Sequence, residues 1–161
     1  MQTKPLQKNI PEGWSRVAVA DIAVVKMGQS PSSLAYNEVA EGLPLIQGNN
    51  DMNGGKTVNR IWTSEITKIA EKGEIILTVR APVGAVGLAH DKICIGRGVC
   101  AIKSDSQPFL WHYFKYFEPK WSHLEQGSTF TAVNGADIRK ISINFPPLLE
   151  QNRIVAVLET A

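Results

Sequence analysis

The chain has 161 residues, 43% hydrophobic and 20% charged, with 17 Lys and Arg against 15 Asp and Glu. This length suits one domain, and the hydrophobic share excludes an intrinsically disordered chain. The 13 Gly and 9 Pro are scattered, which excludes a collagen-like one, and a net charge of +2 neither marks nor excludes a nucleic-acid partner.

Met1 to Gly13 reads as a loose, polar arm with no signal-peptide pattern. Trp14 to Val19 alternates like a strand. Asp21 is positioned to cap a short helix over Ile22 to Met27, which Gly28 ends. Gly28 to Gly42 reads as a loop and Leu43 to Gln47 as a short apolar run. Gly48 to Gly55 is dense in turn formers. Val58 to Thr63 alternates again, and Ser64 suits the cap of a short helix over Glu65 to Glu71. Glu74 to Arg80 is rich in β-branched residues and reads as a strand. Ala85 to Ala89, Ile93 to Ile95 and Val99 to Lys103 read as three more.

The pattern changes at Pro108. Phe109, Tyr113 and Phe117 recur at helical spacing. Trp121 to Gln126 suggests a second short helix, and Ile138 to Phe145 reads as extended. Pro146 and Pro147 open a helix that runs to Ala161, a position where the missing proline N–H costs nothing. Strands first and helices later predict an α+β fold. Cys94 and Cys100 sit among apolar or small neighbours and read as buried thiols; no zinc spacing is present. No run of 18 apolar residues occurs, so a soluble cytoplasmic domain is expected.

Sequences that suggest catalysis fail on inspection. Gly55-Lys56-Thr57 lacks the earlier glycine of a P-loop, and a strand follows where a helix is needed. Gly96-Arg97-Gly98-Val99-Cys100-Ala101 matches a dinucleotide fingerprint but again precedes a strand. Asn144-Phe145-Pro146-Pro147 has the content of an amino-methyltransferase motif in the wrong order, and no Gly-rich cofactor loop accompanies it. No nucleophile elbow and no His-Glu-x-x-His occur. No catalytic residue, metal or bound cofactor is expected.

Binding is better supported. Lys56 to Lys103 holds eight Lys and Arg against four Asp and Glu, a local +4. Arg60, Arg80 and Arg97 lie in or beside predicted strands, where guanidinium groups can bond phosphates or read guanine. Gln47, Asn49, Asn50 and Asn53 supply amides suited to adenine edges. The three arginines with Gln47, Asn49 and Asn50 are the six candidate DNA-binding residues. A solvated surface with turn-forming asparagines is the plain alternative. The aromatic helix suits a core better than a base-stacking platform. In the terminal helix, Leu148, Val155 and Leu158 recur at heptad-like spacing with Ile154 and Val157 beside them, which suits either docking on the domain or a longer helix; Leu148, Glu150, Gln151, Ile154, Val155 and Leu158 are the candidate partner-binding residues.

Gly127-Ser128-Thr129-Phe130, Asn134 to Ile138, and Ile141 to Val155 with its Pro-Pro-Leu-Leu-Glu-Gln run together resemble the end of a target-recognition domain. Such domains occur in the specificity (S) subunits of type I restriction–modification systems. Trp14 to Val17 with Asp21-Ile22 and Gly28 to Ser32 resembles the opening of that domain. Gly73 to Arg80 with Val83 to Gly87 resembles its central strand pair. The resemblance implies a short-stranded, twisted, β-rich recognition domain at 11–145 with peripheral helices. It implies a flexible arm at 1–10 and, at 146–161, the start of a conserved inter-domain helix for dimerisation or methyltransferase binding.

It further implies a non-catalytic subunit that directs the complex to one half of a bipartite site in double-stranded DNA. The expected partners are a methyltransferase (M) subunit, a restriction/translocase (R) subunit, and a second recognition domain or another copy of the chain. S-adenosylmethionine and ATP are expected on partner subunits and not on this chain; no membrane association is expected. The family pattern has two recognition domains and this chain has one, as in a half-length subunit, a piece cut from a longer chain or a truncated gene product. Two other readings stay open: a shortened S subunit that sequesters M, and a DNA methyltransferase fragment.

Overall fold

The computed structural model describes residues 9–124 and 132–161, with 122–124 by backbone only. Residues 1–8 of the expected arm lie outside it, as do the Gly127 to Phe130 motif and the end of the helix read at Trp121 to Gln126. The chain runs β1 (Ser15–Ala18), α1 (Val19–Ile22), β2 (Val24–Met27), β3 (Tyr36–Asn37), β4 (Leu43–Ile46), β5 (Met52–Asn53) and β6 (Lys56–Thr57). It continues through β7 (Ile61–Thr63), β8 (Ile69–Ala70), β9 (Ile75–Thr78), β10 (Val86–Leu88), β11 (Ile93–Ile95) and β12 (Val99–Lys103). Then come α2 (Gln107–Phe117), α3 (Gly135–Arg139), β13 (Ser142–Phe145) and α4 (Leu148–Thr160). This is the expected α+β class, with β13 returning late to pair antiparallel with β1.

Two larger sheets form the body. One has the order β2-β12-β9-β10-β6-β5 and the other β3-β7-β4-β11-β8. The central strands β9 and β12 are buried on both faces, so they read as unbroken apolar runs. The pleat divides their side chains. Ile75, Leu77, Cys100 and Ile102 face a core with Phe109, Leu110 and Phe114 of α2 and Ile138 of α3. Ile76, Val99 and Ala101 face a second core with Ile46, Ile93 and Ile95 of the other sheet. Both cysteines are buried, as their neighbours suggest.

Two expected helices are strands instead. Val24–Met27 pairs antiparallel with β12, from Lys103↔Val24 to Cys100↔Met27. Two adjacent valines favour the pleated surface, and Asp21 caps only the single turn α1, accepting from Ala18 N at 2.8 Å. The 65–71 segment forms no helix; Ile69–Ala70 pairs with β11. Seven residues nucleate a helix poorly in water. Here Ala70 is fully buried, and Lys26 Nζ holds the Ile69 carbonyl at 2.8 Å.

The stretch read as extended from Ile138 begins inside α3. Asn134 and Asp137 cap that helix reciprocally, Asp137 N to Asn134 Oδ1 at 2.8 Å and Asn134 N to Asp137 Oδ2 at 3.0 Å. Glu118–Leu124 is a 3-10 turn and not an α-helix. Lys56–Thr57 and Val99–Lys103 are strands, so neither Gly-rich loop leads into the helix that a phosphate site needs.

Candidate nucleic-acid interface

Strand polarity brings the six candidate DNA-binding residues to one end of the two sheets. Gln47, Asn49 and Asn50 follow the C-terminal end of β4, and Arg60 precedes β7, which runs antiparallel to β4. Arg97 follows the C-terminal end of β11, which is parallel to β4. The turn holding Arg97 then leads into β12. Arg80 follows β9, whose end lies beside the start of β12 through the antiparallel pair Val99↔Thr78. Positions up to 50 apart in sequence therefore share one end of the sheets, where Gln47, Asn49, Asn50 and Arg60 line one groove and Arg80 and Arg97 lie outside its lining.

Asp51 builds the central turn. Its side chain is only 8% exposed. Oδ2 accepts from the backbone N–H of Gln47 at 2.8 Å and of Gly48 at 3.3 Å. Oδ1 accepts from Arg60 Nη1 at 3.0 Å. Carboxylates that accept from backbone N–H and guanidinium groups form the stronger class of hydrogen bond. Tyr36 donates its hydroxyl to Gln47 Oε1 at 3.3 Å, which orients that amide. Asn49 and Asn50 are exposed on the 3-10 turn that ends at Asp51.

These residues line a groove of about 520 Å³ together with Ala81 and Pro82. The loop from Arg80 is tied down through Thr78, whose hydroxyl donates to Pro82 O at 2.7 Å and accepts from Ala85 N at 2.9 Å. Arg80 and Arg97 are both exposed. The Arg97 turn is fixed by its own N–H to Ser30 Oγ at 3.1 Å and by Val79 N to Gly98 O at 2.9 Å. Gly98 lies against the Gln47 backbone so closely that a Cβ there would sit 2.0 Å from the Gln47 carbonyl oxygen. Sequence reasoning missed Asp51, Tyr36 and the Ala81-Pro82 wall. The only available signal was an Asp placed to accept from N–H groups three and four residues earlier, which is a common turn device.

The terminal helix divides its candidate residues between two tasks. Gln151 is 4% exposed and donates Nε2 to Pro146 O at 2.9 Å. Glu150 Oε2 accepts from Trp14 Nε1 at 3.0 Å. Ile154 and Val155 pack against the domain core. Leu148, Leu149, Val157 and Leu158 are exposed, from 46% at Leu158 to 76% at Leu149. Ile154 and Leu158 also line an apolar groove of about 500 Å³ with Trp14, Phe109 and Tyr113. Among the described residues no His, Cys, Asp and Glu cluster could hold a metal, and no helix is long and apolar enough to cross a membrane.

The chain is 37% identical over 156 residues to a Methanocaldococcus jannaschii protein named as the MjaX type I restriction enzyme specificity subunit; the match covers 93% of this chain and 37% of that protein. The HsdS subunit of Thermoanaerobacter tengcongensis superposes with a TM-score of 0.85 at 37% identity, over 98% of this chain and 39% of that one. A chain from a solved type I R-M system superposes with a TM-score of 0.87 at 38% identity, over 98% and 40%. The chain thus spans about two fifths of the length of these relatives. Residues 11–161 match the family model described as the type I restriction modification DNA specificity domain, and to that family the chain belongs.

Proposed function

We propose that this chain is the recognition module for one half of a bipartite DNA target, and that the groove between the Gln47–Asp51 turn and Ala81-Pro82 faces the DNA. The observation that carries the reading is the convergence of Gln47, Asn49, Asn50, Arg60, Arg80 and Arg97 at one end of both sheets. Amides and guanidiniums suit base edges in the major groove, and exposed arginines suit the flanking phosphates. The reading gives the chain no chemical step. S-adenosylmethionine and ATP belong on M and R subunits, and the assembly belongs in the cytoplasm.

The exposed apolar residues of α4, including Leu148 and Leu158, supply the contact with M or with a second helix of the same kind. The division at 145–146 follows, with recognition before it and assembly after it. Selection from a random duplex pool, with the M subunit present, tests the reading. Enrichment of one short motif is expected, and Arg80→Ala and Arg97→Ala should each lower the salt slope of binding by about one phosphate equivalent. A pool that enriches no sequence refutes DNA reading and leaves sequestration of M. Leu148→Glu with Leu158→Glu should abolish co-purification with M; retained binding moves the assembly surface elsewhere.

A further inference from the structure

We infer that Asp51 is a positioning residue for target readout, holding the Arg60 guanidinium so that it can meet a guanine edge. The inference rests on the DNA reading of the same groove. A carboxylate facing a polyanion is unfavourable by itself, so its place beside Arg60 in the lining of this groove asks for a compensating role. The hydrogen bonds show that role. Oδ2 gathers the Gln47 and Gly48 N–H groups, while Oδ1 holds Arg60 Nη1 at 3.0 Å. The backbone of Asp51 closes the same turn, with its N–H to Gly48 O at 3.0 Å and its carbonyl accepting from Val58 N at 2.8 Å. One buried side chain thereby fixes the turn that carries the candidate amides and the only candidate arginine lining the groove.

Arg60 is the matching half. Its side chain is 51% exposed while one nitrogen is anchored. A guanidinium has five donors in a rigid planar fork. With one anchored to the protein, the fork loses less freedom when it binds, and a pre-set donor group discriminates better than a mobile one. Two parallel donors match the O6 and N7 acceptors of guanine in the major groove. Asp51 thus acts on DNA only through Arg60 and the turn.

Electrostatics and positioning predict opposite signs, which makes the inference testable. Asp51→Asn removes a negative charge from the groove, so charge alone would tighten binding to any duplex. Positioning predicts that preference for the selected motif falls instead. The experiment uses the chain with its M subunit and the random duplex pool. Wild type, Asp51→Asn, Arg60→Ala and Arg60→Lys are each selected, then titrated with the enriched duplex and with single-base variants of it. One guanine position should lose about tenfold of its discrimination in all three variants.

Arg60→Lys should keep the wild-type salt slope while losing that base preference, which a role limited to charge would not do. Asp51→Asn should bind unselected duplex at least as tightly as wild type, which a merely unfolded variant would not do. An Asp51→Asn motif identical to wild type overturns the inference while the DNA reading stands. If Asp51→Asn does not fold, Arg60→Ala still decides, because an unchanged motif with that exposed side chain removed overturns the inference as well. A wild-type chain that enriches nothing overturns the DNA reading and this inference with it.

Discussion

Gln151 offers a clear separation of folding from assembly. Its position in the terminal helix suggests a partner contact, yet the fold turns it inward. The amide is 4% exposed and bonded to the buried Pro146 carbonyl. Alanine removes that bond and strands the carbonyl. Losing a net hydrogen bond costs about 1 kcal/mol, and leaving a buried acceptor without a partner raises the total to about 2–3 kcal/mol. For a domain of this length each kcal/mol moves the melting temperature by roughly 2–4 °C, so a drop of about 4–12 °C is expected.

Gln151→Met keeps most of the volume and loses the donor, so comparison of the two variants divides packing from hydrogen bonding. Urea titration of the isolated chain supplies the free energies, and co-purification with M is scored separately at low temperature. The expected result is lower stability with M binding retained wherever the chain is folded. Unchanged stability with M binding lost would refute the reasoning, because Gln151 would then be spent on the partner and not on Pro146.

Two further predictions concern packing. Gly98→Ala forces a Cβ to within 2.0 Å of the Gln47 carbonyl, a backbone atom that cannot swing aside. It should lower stability by about 1–3 kcal/mol, as overpacking does, and should weaken binding to the selected duplex. Gly48→Ala is the control, since nothing lies within 4 Å of its Cβ position and its φ of -178° is extended; equal melting of the two variants refutes the close approach. Burial pushes the Cys100 thiol up from 9.0 to about 12, with the nearby Arg139 guanidinium offsetting part of the rise. Above pH 9 an unfolded thiol releases its proton while the folded one keeps it until about 12, so this residue's contribution to stability falls as pH rises through that window. Urea midpoints of wild type and Cys100→Ala should therefore draw together between pH 8 and 10.5, and a constant gap would count against the burial argument.

How much the sequence shows depends on whether a segment's neighbours are local. The run Ile75 to Thr78 and the stripe Phe109, Tyr113, Phe117 carry their own period, and both form the elements that period predicts. Val24 to Met27 and Ile69-Ala70 do not. Each is a strand because a distant strand pairs with it: β12 for the first and β11 for the second. Helix-forming residues such as Glu65 and Lys68 lose to that pairing, since propensity is worth only a few tenths of a kcal/mol per residue.

The candidate site divides in the same way. Residue chemistry alone singled out the amides at Gln47, Asn49 and Asn50 and the arginines at 60, 80 and 97, because few side chains suit base edges and phosphates. Family membership was legible in the Pro-Pro-Leu-Leu-Glu-Gln run entering α4 and in the central strand pair. Tertiary structure alone decided that the candidates share one end of the sheets. The directions of β4, β7, β9 and β11 are set by hydrogen bonding between strands far apart in sequence, and those directions collect the strand ends at one edge. It likewise decided that Asp51 anchors Arg60 and that Gln151 faces Pro146, since burial is a property of the packed layers and not of a residue's type.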